Sequence, residues 1–191
     1  MNPVDYALLA KRAYTDAPTV GQVDSASRMH VYGDVHCFRG TDDFDSLLHD
    51  FDVALVDVPG LGKLHAGFWT AWQAIRGECL ALPAPSAIAG HSLGAALAII
   101  AAAEWALRGH VVPVYAFEPP RLCADDTLAH VFRDFAVPVF ATRNGLDLVT
   151  QVPEWLTHPC PLTGIGHPAE PINNLIDHSI ERVVEALEST S

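Results

Sequence analysis

The pentapeptide Gly90-His-Ser-Leu-Gly94 places a serine in the sequence setting of a nucleophile. A short apolar run precedes it and a long one follows, so Ser92 is predicted at the turn from a buried strand into a helix. The two glycines remove side chains that would obstruct so sharp a turn, which would present the serine Oγ beside the first N–H groups of the helix. The pattern favours a nucleophile over the alternative, a serine that only caps the helix.

A serine nucleophile needs a general base, and the base needs a carboxylate to orient its ring. With the partners in the order serine, acid, histidine, five histidines are candidates: His110, His130, His158, His167 and His178. Glu118 and Asp147 each follow a predicted strand, and spacing alone does not choose between these two acids. His178 stands at the entrance to the last predicted helix, a position from which a loop histidine can return over the edge of the sheet.

The predicted secondary structure that would position these side chains differs between the first and the second part of the chain. Two short strands, 29–32 and 35–38, are predicted to flank a tight turn at Gly33-Asp34, and a third strand covers 51–58. From Ala84 onward apolar strands alternate with helices, which is typical of a parallel sheet with crossover helices. The predicted strands are 87–90, 111–117 and 137–142, the predicted helices are 67–75, 93–107, 127–135 and 176–187, and 157–173 is predicted to be a loop.

The charge and hydropathy of the chain exclude several classes of function. Lys and Arg number 11 against 23 Asp and Glu, so the net charge of −12 offers no footprint for nucleic acid or anionic lipid head groups. Half of the 191 residues are hydrophobic, enough for one substantial core, and we expect a single domain over residues 1–191. The longest apolar run, 93–103, is well below the roughly 20 residues that cross a bilayer.

Two features bear on the cellular compartment. The segment from Met1 to Tyr6 has no basic stretch followed by an apolar one, so a cytoplasmic location is the default expectation, with release by other routes left open. The cysteines are unevenly spaced and form no Cys-x-x-Cys pair, so we expect reduced core thiols and not a disulfide framework. They are Cys37, Cys79, Cys123 and Cys160.

Four further segments form an ordered series with the pentapeptide. They are Phe38-Arg-Gly-Thr41, His65-Ala-Gly-Phe68, Tyr115-Ala-Phe-Glu-Pro-Pro-Arg121 and Asn144-Gly-Leu-Asp-Leu-Val149, the last followed by Pro153. The series resembles the class 3 lipase family, the fungal-lipase-like branch of the α/β-hydrolases. The resemblance implies an α/β-hydrolase fold: a single domain with a mostly parallel central sheet, flanking helices and a short helical lid.

The resemblance also implies roles for particular residues. Ser92 becomes the nucleophile, Asp147 the orienting acid with Glu118 as runner-up, and His178 the base. His167 resembles a structural histidine of the family, and His158 is the weaker rival for the base.

The family's oxyanion hole corresponds to the backbone N–H groups of Leu93 and Thr41, with the Thr41 hydroxyl as a further donor. The alternative for Thr41 is a turn residue whose hydroxyl caps the next helix. The family carries its lid between Thr41 and His65, where Phe44, Leu47, Leu48 and Phe51 fall on one face of a short predicted helix. That face suits a lid over the acyl pocket or an ordinary core helix, and the acidic residues beside it allow at most weak contact with a lipid interface.

The implied activity is carboxylic ester hydrolysis, of the lipase or esterase type, through an acyl-enzyme. Its substrate would be a small-molecule or lipid ester, and the residues call for no cofactor and no metal. The alternatives are an esterase restricted to short or aromatic acyl esters, a phospholipase, and a non-catalytic binding module on the same fold. Glu118 stands where the family often has a small residue, so a second carboxylate is expected near the site.

Overall fold

Within the part of the chain that the structure describes, the central sheet has six strands, and all but one of its neighbouring pairs are parallel. The computed structural model describes residues 1–41 and 54–189. In chain order the described strands are β1 (Met29–Tyr32), β2 (Val35–Phe38), β3 (Leu55–Val58), β4 (Gly62–His65), β5 (Ala87–His91), β6 (Val114–Phe117), β7 (Val139–Asn144) and β8 (Thr163–Ile165). The order across the sheet is β1-β2-β5-β6-β7-β8, with β1 antiparallel to β2.

Helices cover both faces of this sheet. The described helices are α1 (Pro3–Arg12), α2 (Ala66–Ala81), α3 (Leu93–Leu107), α4 (Thr127–Asp134) and α5 (Ile180–Glu188). Successive side chains of β5 point to opposite faces: Ile88 belongs to the apolar cluster that includes side chains of α2, α3 and α4, whereas Ala87 and Ala89 belong to the cluster that includes side chains of α1 and α5. The parallel order follows from the crossover helices, because a parallel connection must return over one face of the sheet.

Helix α3 is the innermost helix of the fold. It is buried along almost its whole length, and its many alanines allow it to lie close to β5 and β6. Its acidic residue Glu104 is only 7% exposed, yet Oε2 accepts hydrogen bonds from Trp72 Nε1 at 3.3 Å and from Arg76 Nε at 2.8 Å. These partners compensate the cost of burying the carboxylate and fasten α2 to α3.

The structure corrects several expectations about the elements, among them the predicted helix 67–75, which extends over Ala66–Ala81 as α2. Residues 51–53 of the predicted strand 51–58 lie outside the described residues, and the remainder forms β3, which pairs with β4 in a separate two-stranded sheet. The predicted loop 157–173 contains β8, a polar edge strand without an apolar pattern. The predicted helix 176–187 divides into the 3₁₀ turn Ile176–His178 and helix α5, since Ser179 is extended with ψ 130°. The strands predicted at 111–117 and 137–142 begin later, as β6 and β7.

The cysteines are free, and Cys37, Cys79 and Cys123 are buried, as expected of core thiols. In the described ranges, none of the helices combines the length and apolar character that a bilayer span requires.

Candidate active site

Ser92 occupies a strained turn between β5 and α3. Its backbone has φ 60° and ψ −128°, a conformation that L residues rarely adopt, and its side chain is buried. The flanking glycines are required sterically: a Cβ on Gly90 would lie 2.9 Å from Ala95 N, and one on Gly94 would lie 2.7 Å from the carbonyl carbon of Arg39. The predicted strand-to-helix turn therefore has the packing of a nucleophile elbow.

The loop after β2 runs directly beside this serine. A Cβ added to Gly40 would lie 2.8 Å from the His91 carbonyl oxygen and 3.1 Å from the Cβ of Ser92, so only glycine allows this approach. Thr41 follows it and borders a cavity of about 680 Å³ together with His178. Leu93 begins α3, and the first amides of a helix have no acceptor within the helix. The two segments predicted to form the oxyanion hole thus flank the serine.

Asp147 and His178 form a buried pair. The Asp147 Oδ2 and His178 Nδ1 atoms are 3.0 Å apart, and Asp147 Oδ1 accepts a hydrogen bond from the Val149 N–H at 2.9 Å. Asp147 is fully buried and His178 is 8% exposed. Because a carboxylate can only accept, Nδ1 carries the proton, which leaves Nε2 as the basic nitrogen. The alternative acid of the sequence analysis, Glu118, does not hydrogen bond to this ring in the described structure.

His91 connects the elbow to the base through a hydrogen bond, a role that no motif in the sequence indicated. Its Nε2 lies 2.8 Å from the carbonyl oxygen of His178, and its Nδ1 lies 2.7 Å from the Tyr14 hydroxyl. Because a carbonyl only accepts, Nε2 carries the proton and Nδ1 accepts from Tyr14. Burial, and then the charge of nearby His178, lower the pKa of His91 well below its ordinary value, so this ring is neutral at pH 7.

Among the described residues the Ser92 Oγ has no hydrogen-bond partner.

Asp177 connects the segments around the acid and the base, a role that no motif in the sequence indicated. Its buried carboxylate accepts hydrogen bonds from the backbone N–H groups of Leu146 at 2.9 Å and Ala169 at 3.0 Å, and pairs with Arg182 at 3.2 Å. Burial alone would raise the pKa of Asp177, but these hydrogen bonds lower it below its ordinary value. The only sequence signal was an acidic residue directly before a candidate base.

The rival histidines lie elsewhere in the described structure. His158 Nε2 donates to the carbonyl oxygen of Thr150 at 2.8 Å, and His167 is exposed, with its carbonyl oxygen accepting from Arg182 at 3.1 Å. Neither ring hydrogen bonds to an acidic side chain within residues 1–41 and 54–189. The predicted lid residues Phe44, Leu47, Leu48 and Phe51 lie outside the described residues.

One group of possible metal ligands occurs in the described part of the chain. Ligand atoms of Glu118, Asp147 and His178 all lie within 4.8 Å of one another, and all three residues are buried. The Asp147 oxygens already accept from Val149 and His178, and the Glu118 oxygens accept from the Asn144 N–H. The hydrogen bonds fit a carboxylate and histidine pair with one additional carboxyl better than an ion site.

Comparison with protein families gives one match. The model of the family described as lipase (class 3) matches residues 35–157, which include the elbow, the segment 38–41 and Asp147. No curated protein matches the sequence significantly.

Solved structures of fungal lipases share the fold. A propeptide complex of Rhizomucor miehei lipase has a TM-score of 0.70 at 17% identity, covering 92% of this chain and 78% of that chain. The lipase from Rhizopus microsporus var. chinensis has a TM-score of 0.69 at 18% identity, with 92% and 84% covered. A Penicillium cyclopium protein, the MDLA N225Q mutant, has a TM-score of 0.62 at 22% identity, with 91% and 81% covered. These likenesses confirm the α/β-hydrolase fold with its mostly parallel sheet.

Proposed function

The chain belongs to the class 3 lipase family, and we propose that it hydrolyses carboxylic esters through an acyl-enzyme formed on Ser92. Family membership supports a lipase-type ester hydrolase, and the residue roles are our proposal. The observation that carries them is the buried contact of 3.0 Å between Asp147 and His178, whose carbonyl oxygen accepts a hydrogen bond from His91, the residue before the strained serine. This link supports the assignment of a nucleophile, a base and an acid to neighbouring segments at one edge of the sheet.

The reaction begins with attack of the Ser92 Oγ on the ester carbonyl, as His178 Nε2 takes the hydroxyl proton. Asp147 fixes the ring tautomer and stabilises the imidazolium. The N–H groups of Leu93 and Thr41, with the Thr41 hydroxyl, stabilise the negative charge on the carbonyl oxygen. His178 then returns the proton to the departing alcohol. In the second half, His178 activates a water molecule that attacks the acyl-enzyme and releases the acid.

A lipid ester is the substrate class that the family favours, and the cavity supports a ligand of that kind. Its volume of about 680 Å³ lies within the range of roughly 300–1,000 Å³ that is usual for small-molecule sites. It is bordered by His178 and Thr41 together with the apolar side chains of Leu175, Ile176 and Ile180. Esters with short or aromatic acyl groups are the main alternative, because this cavity borders polar residues as well.

The test compares initial rates on p-nitrophenyl esters from acetate to palmitate for the wild type and Ser92→Ala. We expect the variant to lose at least about 10³-fold in kcat/KM, because no other group replaces the nucleophile. Ser86→Ala is the matched control, since Ser86 is exposed and precedes the same strand. The best acyl length separates a lipase from an esterase. Equal hydrolysis by Ser92→Ala and the wild type would refute the proposal, and inactivity of both across the series would favour a binding module.

A further inference from the structure

Glu118 is a buried carboxylic acid on a strained backbone beside the acid and the base. It follows β6 directly, has φ 54°, and is fully buried. Positive φ favours glycine, and a non-glycine residue persists there only when its surroundings hold it in place. Ser92 is a second residue of this edge that has positive φ. Glu118 therefore carries both a conformational cost and the cost of burying a carboxyl group.

The contacts of Glu118 join two strands and extend to the acid. The Asn144 N–H lies 2.9 Å from each of its carboxyl oxygens, and the Thr142 hydroxyl donates to Oε1 at 3.2 Å. Ligand atoms of Glu118, Asp147 and His178 lie within 4.8 Å of one another. The side chain thus bridges β6 to the end of β7 and stops next to the Asp147–His178 pair.

Two buried carboxyl groups this close do not both carry a charge without a cation between them. The hydrogen bonds that described residues donate to them come from backbone N–H groups, the Thr142 hydroxyl and His178, and none of these is from Lys or Arg. The other nearby carboxylate, Asp177, is directed to Leu146, Ala169 and Arg182. Asp147 accepts hydrogen bonds from the His178 ring and from the Val149 N–H. Burial, followed by the charge of Asp147, raises the pKa of Glu118 well above its ordinary value.

We propose that Glu118 is a positioning residue that keeps its proton at neutral pH and donates its O–H to Asp147. The donated hydrogen bond disperses the charge of the Asp147 carboxylate and fixes its orientation toward His178. The Glu118 oxygens still accept hydrogen bonds from Asn144 and Thr142, so every polar atom of the side chain would have a hydrogen-bond partner. The catalytic consequence rests on the proposed function, whereas the protonation of Glu118 does not.

Stability as a function of pH tests the protonation without any substrate. The folded-state pKa of Glu118 lies above its unfolded value of about 4.3, so folding takes up a proton above that pH and wild-type stability falls as pH rises. Glu118→Gln retains an N–H donor and does not titrate. The folding equilibrium constant of this variant, relative to the wild type, should therefore rise between pH 5 and 8, by at most about tenfold per pH unit.

Urea denaturation at several pH values measures this ratio. Glu104→Gln is the matched control, because the Glu104 carboxylate pairs with Arg76, and its ratio should not rise with pH. A ratio for Glu118→Gln that stays constant or falls from pH 5 to 8 would overturn the proposal, since Glu118 would then take up no proton on folding.

Kinetics tests the positioning role. Glu118→Met keeps a side chain of similar size without a donor, so kcat should fall about tenfold with little change in KM, and Glu118→Gln should restore kcat to within about threefold of the wild type. Equal activity of the Met and Gln variants would overturn this role. Failure of the ester hydrolysis proposal would be visible separately, as Ser92→Ala retaining wild-type activity, and would leave the pH-dependent stability result standing.

Discussion

His91 lies next to Ser92 in the chain but acts through the backbone of the base. Its Nε2 donates to the carbonyl oxygen of His178, and the Tyr14 hydroxyl donates to its other nitrogen. This neutral imidazole therefore sets the distance between the elbow and the segment that carries the base. Whereas His91 acts in the free enzyme, the proposed contribution of Thr41 is made only when negative charge develops on the substrate oxygen.

Replacement of Thr41 by valine should lower kcat by about 10² or less, since the backbone N–H donor remains when the hydroxyl is removed. KM should change little, because the lost interaction belongs to the transition state. Steady-state kinetics on a soluble p-nitrophenyl ester measures both constants. Thr41→Ser keeps the hydroxyl and is the matched control. A valine variant as active as the wild type would remove the hydroxyl from the mechanism.

At the scale of elements, the interruption between the 3₁₀ turn Ile176–His178 and α5 positions the base. Ser179 is extended, so the chain leaves the helical path directly after His178. Asp177 then connects the turn to the Leu146 amide in the segment 144–149, which carries Asp147, and to Arg182 in α5. Asn144 strengthens the same junction, since its Nδ2 donates to the carbonyl oxygen of Asp177 at 2.9 Å. These hydrogen bonds join the segment 144–149, which carries Asp147, to the turn Ile176–His178, which carries the base.

Asp177→Asn should destabilise the protein by about 1–3 kcal/mol at pH 7, because a charged acceptor of several hydrogen bonds is lost. The folded-state pKa of Asp177 is lowered, so its contribution is present above the unfolded pKa of about 3.9 and is lost as pH falls through the folded value. The difference from wild type should therefore persist from pH 5 to 8 and shrink below about pH 4. Urea denaturation at each pH measures it, and an unchanged difference at pH 3 would contradict this role.

Across the whole molecule, the sequence predicts what depends on local pattern. Alternating apolar runs predicted the parallel sheet and its crossover helices, and the family resemblance is confirmed. The separate β3–β4 sheet and the polar strand β8 were missed because partner strands, and not local periodicity, define them. Spacing could not choose between Glu118 and Asp147, since both follow sheet strands. The contact of Asp147 with His178 distinguishes them in the structure.

The contributions of His91 and Asp177 could not be read from the sequence for the same reason. Each acts through backbone groups of a distant segment, which no motif encodes. The single domain over 1–191, the cytoplasmic location and the lid between Thr41 and His65 stay predictions. The net charge of −12 continues to favour neutral substrates over anionic surfaces.

The most direct test of the central claim is labelling with a p-nitrophenyl alkylphosphonate, in which a serine oxygen forms a bond to phosphorus as p-nitrophenolate leaves. Intact mass spectrometry with peptide mapping identifies the modified residue. We predict one adduct per chain, located on Ser92, absent from Ser92→Ala and formed at least about 10²-fold more slowly in His178→Ala. An adduct on another residue, or equal labelling of the wild type and Ser92→Ala, would contradict Ser92 as the activated nucleophile.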